Sequence, residues 1–154
     1  MKVATSYFYQ IRNFAPYEIP LSTAVWDPKW FHDNNGPNYV WQDRRSVVNG
    51  LRILPLVPNS SCNGLCRGPE HCAFQPSECA FLKQYKHQLD CIDFEDFMDK
   101  LRRHIDKVCN MYNIFDEPTA VFVFHEKYDN PCSERVAVQQ WFREHNVEIY
   151  ELIE

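Results

Sequence analysis

Cys62, Cys66, Cys72 and Cys79 follow one another with the spacing C-x3-C-x5-C-x6-C. The residues between them include Gly64, Gly68, Pro69 and Pro76, which let a short chain turn back on itself. Four thiolates brought together can surround a tetrahedral zinc ion or a 4Fe–4S cluster. Zn2+ is slightly favoured as the commoner structural ion, although the C-x2-C knuckle usual in zinc sites is missing. His71 is an alternative ligand. A site with four protein ligands is closed, and therefore structural or redox-active rather than hydrolytic. Metal binding would also explain how so few apolar residues hold a shape between positions 59 and 79. The alternative is a flexible loop with scattered small residues.

A second group of reactive residues runs from His125 through Glu126 to Cys132 and Arg135. It follows an apolar run that reads as a buried strand, and it leads into a helix. In open α/β sheets ligands bind at that carboxyl edge. Free N–H groups at the helix start, together with Arg135, suit an anion. The same position should lower the pKa of the Cys132 thiol and make it a candidate nucleophile. His125, Glu126 and Tyr7 are the candidate acids and bases. The plainer reading is a capped helix with Arg135 in a surface ion pair. Glu134 weakens the anion site by placing negative charge in the same turn. Cys91 and Cys109 read as core residues, Cys109 because it lies on the apolar face of a long helix.

These groups need elements to position them, and the chain is long enough for one domain with a core. It has 154 residues, 45% of them hydrophobic and 24% charged, as expected of a globular protein. Its net charge of −5 argues against general binding to nucleic-acid backbone. No apolar run is long enough to span a bilayer, and no signal-peptide core opens the chain. A cytoplasmic, reducing location is therefore expected. Seven cysteines, an odd count, then suggest metal binding more than a disulfide framework.

Ten prolines divide the chain and leave a gap between positions 77 and 117 for helices. Strands are expected over 2–7, 21–26, 51–57, 119–125 and 147–152, and a short helix over 42–49. A turn-rich loop is expected over 33–38. Further helices are expected over 78–89, with Ser77 as cap, from about position 93, and over 133–145. The helix near position 93 has the clearest pattern. Phe94, Phe97, Met98, Leu101, Ile105, Val108, Cys109 and Tyr112 recur at three- and four-residue spacing. Strands alternating with helices imply a single α/β domain, Rossmann-like, with a mostly parallel sheet, flanking helices and a Cys-rich insert at about 59–79.

Three segments resemble the family called domain of unknown function 488, small bacterial and phage proteins. They are Thr5-Ser6-Tyr7-Phe8, Trp26-Asp27-Pro28-Lys29-Trp30, and the stretch 125–135 with the Val-Gln-Gln-Trp-Phe that follows. Many members carry Cys-His-Arg where this chain has Cys132-Ser133-Glu134-Arg135. The Cys-rich insert looks like a feature of one branch. The resemblance implies a compact α/β fold with Ser6, Tyr7, Cys132 and Arg135 gathered at one sheet edge, and it carries no settled activity. Two functions follow. One is an enzyme acting on a nucleotide-like or other anionic, phosphate-bearing small molecule at the carboxyl edge. The other is a non-catalytic module whose metal insert shapes a partner or nucleic-acid surface, with Trp26, Trp30, Phe31 and Trp41 as stacking residues.

Overall fold

The computed structural model describes residues 1–28, 31, 39–42, 45–48, 51–72 and 74–153. Among the described residues there are seven strands: β1 (Lys2–Tyr7), β2 (Glu18–Ser22), β3 (Tyr39–Gln42), β4 (Arg45–Val48), β5 (Leu51–Arg52), β6 (Thr119–Phe124) and β7 (Tyr150–Glu151). Among the described residues there are three α-helices: α1 (Ala80–Asp90), α2 (Phe94–Tyr112) and α3 (Glu134–Glu144). Five strands form one sheet in the order β5-β2-β6-β1-β7, and each of its pairings is parallel. This bears out an α/β domain with a parallel sheet and flanking helices.

β6 is the central strand because every one of its residues is apolar or small enough to bury on both faces. It pairs along its whole length with β1. β2 pairs with it on the other side, from Glu18 opposite Thr119 to Ser22 opposite Val123. β2 lies earlier than its apolar run implies and contains Pro20. β5 covers only Leu21 and Ser22, so Pro20 sits where the strand pairs with β6 alone and its missing N–H costs little. The strand stops at Ser22, whose hydroxyl accepts from Ala24 N–H and donates to the Asp27 carboxylate, turning the chain.

Other boundaries differ for equally local reasons. The run expected as a strand over 51–57 pairs only at Leu51 and Arg52, then tightens into a 3-10 turn at Leu54–Leu56 around Pro55. The helix expected over 42–49 is not seen among the described residues of that range. β3 and β4 pair there antiparallel, Val40 opposite Val47, as their β-branched residues favour. The loop expected over 33–38 lies outside the described residues. Cys79, not Ser77, caps α1, its sulfur accepting from Leu82 N–H at 3.4 Å.

α2 forms as its spacing predicts. Asp93 caps its first turn through Asp96 N–H, and Asn113 ends it in the left-handed conformation. Its buried stripe meets α3 in an aromatic cluster. Phe94 and Phe97 contact Trp141 edge-on at 5.0 and 5.3 Å, and Phe122 of β6 lies 5.6 Å from Phe142. Truncating Phe142, fully buried at this junction, should cost about 3–5 kcal/mol in denaturant unfolding. Phe115→Ala, at a position 94% exposed, should stay within about 0.5 kcal/mol of wild type.

Candidate functional site at the carboxyl edge

Where two neighbouring parallel strands send their chains in opposite directions, a crevice opens beyond their carboxyl ends. β2 leads outward to β5 at one edge of the sheet, and β6 leads through α3 to β7 at the other. Between them lies a cavity of about 140 Å³, lined by Thr23, Ala24, Val25 and Trp26 after β2, Phe124, His125 and Glu126 after β6, and Glu134 of α3. Among the described residues, none of its lining side chains is a lysine or arginine.

Ser133 caps α3 by accepting from Arg135 N–H at 3.2 Å, which places Glu134 in the first turn and within hydrogen-bonding reach of Glu126. Burial and the neighbouring Glu126 charge push the Glu134 carboxyl up to about 7, against the backbone N–H and Arg135 that favour its ionised form. The Glu134 carboxyl therefore keeps its proton well above the usual carboxylate range. His125 Nε2 contacts the Trp26 carbonyl oxygen, and its ring packs on Phe8 at 4.8 Å. Trp26 itself stands 81% exposed at the lip.

Arg135 is placed differently from expectation. It is 2% exposed. Its Nη1 donates to Lys127 O at 2.7 Å, with Ser133 Oγ at 3.5 Å. Nη2 donates to Ser6 O at 3.0 Å and Glu126 O at 2.8 Å, and Nε meets Glu151 Oε1 at 2.6 Å in an ion pair. The guanidinium also lies over the Phe124 ring. With both terminal nitrogens hydrogen-bonded, Nε committed to the ion pair and the side chain buried, the fork is not presented to an external anion. The arginine expected to hold a ligand, or to form a surface pair, is an internal tie. Sequence reasoning missed its acidic partner, Glu151, and the Thr5 and Gln139 side chains that hold that carboxylate. Thr5 Oγ1 donates to Glu151 Oε1 at 2.8 Å and accepts from Gln139 Nε2 at 2.8 Å. Burial raises the Glu151 pKa, opposed by Arg135 and by the Thr5 hydroxyl. The alternation of a short terminal strand does not reveal which residue will face a buried cation.

Asp27 was also missed as a site residue. It holds the loop after β2, accepting from Ser22 and facing Arg52 Nε at 3.4 Å, while Arg52 Nη2 donates to Ala24 O at 2.7 Å. Ser6 and Tyr7 end β1 at this same edge. Ser6 O reaches Arg135, whereas the Tyr7 hydroxyl accepts from Gln10 at 3.2 Å and does not line the cavity.

The expected metal centre is overturned. Among the described residues, no group of three or more His, Cys, Asp or Glu side chains is placed to hold a metal ion. Cys62 is buried and meets Gln88 of α1 at 3.9 Å, so it is drawn into the α1 packing rather than toward Cys66, Cys72 and Cys79. His71 is exposed. Neither zinc nor an iron–sulfur cluster is supported, and the described part of the segment contains 3-10 turns at Ser60–Cys62, Pro69–His71 and Pro76–Glu78. Cys91 is exposed at the end of α1, not in the core. Cys109 is half-buried against the core, and burial raises its thiol pKa.

Cys132 lies just before the α3 cap, but its thiol is not activated. Burial, contact with Cys72, and the charges of Cys72, Cys79 and Cys66 push it up to about 11. The helix-terminus argument for a lowered pKa is reversed, because burial first and the neighbouring sulfurs second disfavour the thiolate. A larger hollow of about 360 Å³, walled by Ile53, Leu54, Pro55, Ile92, Phe97 and Leu101 among others, shares no residue with the carboxyl-edge cavity. It contains one histidine, His104, whose pKa is lowered by burial, while its Asp96 and Lys100 are paired with each other at 2.8 Å.

The chain matches no family model, no curated protein and no solved structure. No helix among the described residues is long and apolar enough to cross a membrane.

Removing the buried cation should strand the Glu151 charge. Arg135→Met should therefore lower stability by roughly 3–5 kcal/mol at pH 7, read by urea unfolding. A surface anion-binding arginine would leave the midpoint nearly unchanged. Glu134 predicts a pH dependence of defined sign. Its folded pKa is raised from 4.5 to about 7. Its contribution to stability is fully present below about pH 4.5 and lost as pH rises through 7. Unfolding curves for Glu134→Gln should lack that part of the decline, and the variant should gain on wild type as pH rises from 5 to 8.

Proposed function

We propose that this α/β domain binds a small neutral or cationic polar group between the ends of β2 and β6 and performs acid–base chemistry on it. The observation that carries the reading is the Glu126–Glu134 pair, which lies at the sheet's switch point with one carboxyl raised to about 7. A carboxylic acid and a carboxylate side by side can give and take a proton at neutral pH. His125 stands beside them as a second proton carrier. Trp26 offers a ring face at the lip, suited to a flat or cationic group.

A phosphate-bearing occupant fits less well. The cavity is walled by carboxylates and Arg135 is engaged elsewhere. Its volume of about 140 Å³ is also below the roughly 300–1,000 Å³ typical of small-molecule sites, so it takes one ring or side group, not a whole nucleotide. The non-catalytic module loses its metal-shaped surface. Of its four aromatic residues, Trp26 is exposed, Phe31 is fully buried against Phe8, Trp30 lies outside the described residues, and the Trp41 side chain does also. The resemblance to the domain of unknown function 488 family enters the proposal as a fold, since it brings no activity.

Benzamidinium chloride is a suitable probe, being flat, cationic and the size of one ring. At millimolar concentration it should shift the Trp26 indole N–H signal and the Glu134 carboxyl ¹³C signal in NMR spectra. Glu126→Gln and Glu134→Gln should each weaken that binding by about tenfold, the scale of one charge-assisted hydrogen bond. Inorganic phosphate and AMP should leave these signals in place. Binding of phosphate or AMP at Trp26 and Glu134, with no response to benzamidinium, would overturn the reading.

A further inference from the structure

The hollow of about 360 Å³ lies between the chain after β5 and one side of α2. Its first wall is held from behind. β5 ends at Arg52, and the chain tightens into the 3-10 turn Leu54–Leu56. Gln88 of α1 donates to Pro55 O at 3.1 Å and to Val57 O at 2.7 Å, and the Tyr85 hydroxyl donates to Leu56 O. These bonds fix the turn against α1, so it does not close onto α2. The second wall is the edge of the buried stripe of α2. Phe97 and Leu101 belong to that stripe, and Asp96, Lys100 and His104 follow one another at four-residue spacing along its margin. Leu54 is 69% exposed at the mouth, and Ile53 and Ile92 are half-buried. Apolar surface is thus left open to solvent inside a concave, anchored site.

The charges around the hollow are answered within the chain. Lys100 pairs with Asp96 at 2.8 Å. Asp93 accepts from Asp96 N–H at 3.1 Å as the cap of α2. Arg52 faces Asp27 at 3.4 Å and donates to Ala24 O at 2.7 Å. An anion entering here would meet Asp93 and Asp96, and a cation would meet Arg52 and Lys100, with no unpaired charge of opposite sign to receive either. His104 differs from these groups. It is half-buried and has no hydrogen bond or ion pair among the described residues. Burial, aided by the Lys107 charge, holds its pKa down, so the ring is neutral at pH 7 with one donor and one acceptor nitrogen.

We propose that this hollow is a binding site for a neutral aromatic alcohol, its rings against Leu54 and Phe97 and its hydroxyl on the His104 imidazole. The volume falls within the roughly 300–1,000 Å³ of small-molecule sites, and mostly apolar walls with one orienting polar group are what such sites use. The hydroxyl donates to the unprotonated ring nitrogen. The site shares no lining residue with the carboxyl-edge cavity, and its occupancy does not depend on Glu126 or Glu134.

The test titrates the full chain with 2-naphthol and follows the His104 imidazole and Leu54 methyl signals by NMR. Both should shift together and saturate. His104→Leu, which keeps the wall apolar, should weaken binding by roughly three- to tenfold, the scale of one neutral hydrogen bond. Leu54→Ser, at an exposed position that the fold does not need, should also weaken it. Phe115→Ala, on exposed apolar surface outside the hollow, should leave it unchanged. The charged analogues 2-naphthoate and 2-naphthylmethylammonium should bind about tenfold more weakly or not at all. Four outcomes would overturn the proposal. One is no shift at His104 and Leu54 in wild type, which needs no variant to fold. A second is either charged analogue binding as tightly as 2-naphthol. A third is binding that responds to Phe115→Ala and not to His104→Leu, the mark of general adhesion to apolar surface. The last is a ligand-free dimer in sedimentation whose dilution shifts these same signals, so that a second copy covers the hollow. Trp26 and Glu134 signals report the carboxyl-edge cavity, so failure at either site is seen separately.

Discussion

A guanidinium without water must find hydrogen-bond acceptors in protein, and a buried positive charge must find a negative one. Arg135 meets both demands with Ser6 O, Glu126 O, Lys127 O and the carboxylate of Glu151. Those acceptors belong to the end of β1, the turn after β6, and β7. One side chain from the first turn of α3 therefore holds three separate pieces of the carboxyl edge together. β7 is only two residues long, and its Glu151 is the anchor that gives this short edge strand a fixed place. The planar fork of arginine can address several carbonyls at once, which a lysine ammonium could not do with the same geometry.

That tie sets the electrostatics of the cavity beside it. With the cation turned inward, the outer wall is left with Glu126 and Glu134. Burial disfavours ionisation of Glu134, and the neighbouring Glu126 charge adds to the effect. The chemistry available at the edge is thereby moved from anion binding to proton exchange. The loop after β2 contributes the opposite wall. It is held by Ser22, Asp27 and Arg52 in a partly buried ion pair and backbone contacts, so the cavity is framed on both sides by polar ties rather than by apolar packing alone.

The sulfurs show how proximity in sequence misleads. Cys62 packs against Gln88 of α1, whereas the Cys132 thiol, more than fifty residues later, is raised by burial and by the charges of Cys72, Cys79 and Cys66. α1 and α3 lie side by side, and each begins beside one of these sulfur-bearing turns. Helix packing, not spacing within the segment, chooses the partners.

Periodicity alone was enough for the α/β class, the extent of β1, the long α2 and the position of α3, because each depends on a local apolar repeat matched to a helix or a buried strand. The short helix expected over 42–49 failed because valines that tolerate either state paired across a hairpin instead. The edge where chemistry gathers was legible too, since β6 is apolar throughout and is followed by acids and bases. Roles within that edge were not. Whether Arg135 faces solvent or a buried carboxylate, whether Glu134 holds its proton, and whether the Cys132 thiol is activated depend on residues tens of positions away. Local sequence sets which conformations a segment favours, whereas desolvation and charge coupling arise only when distant segments meet.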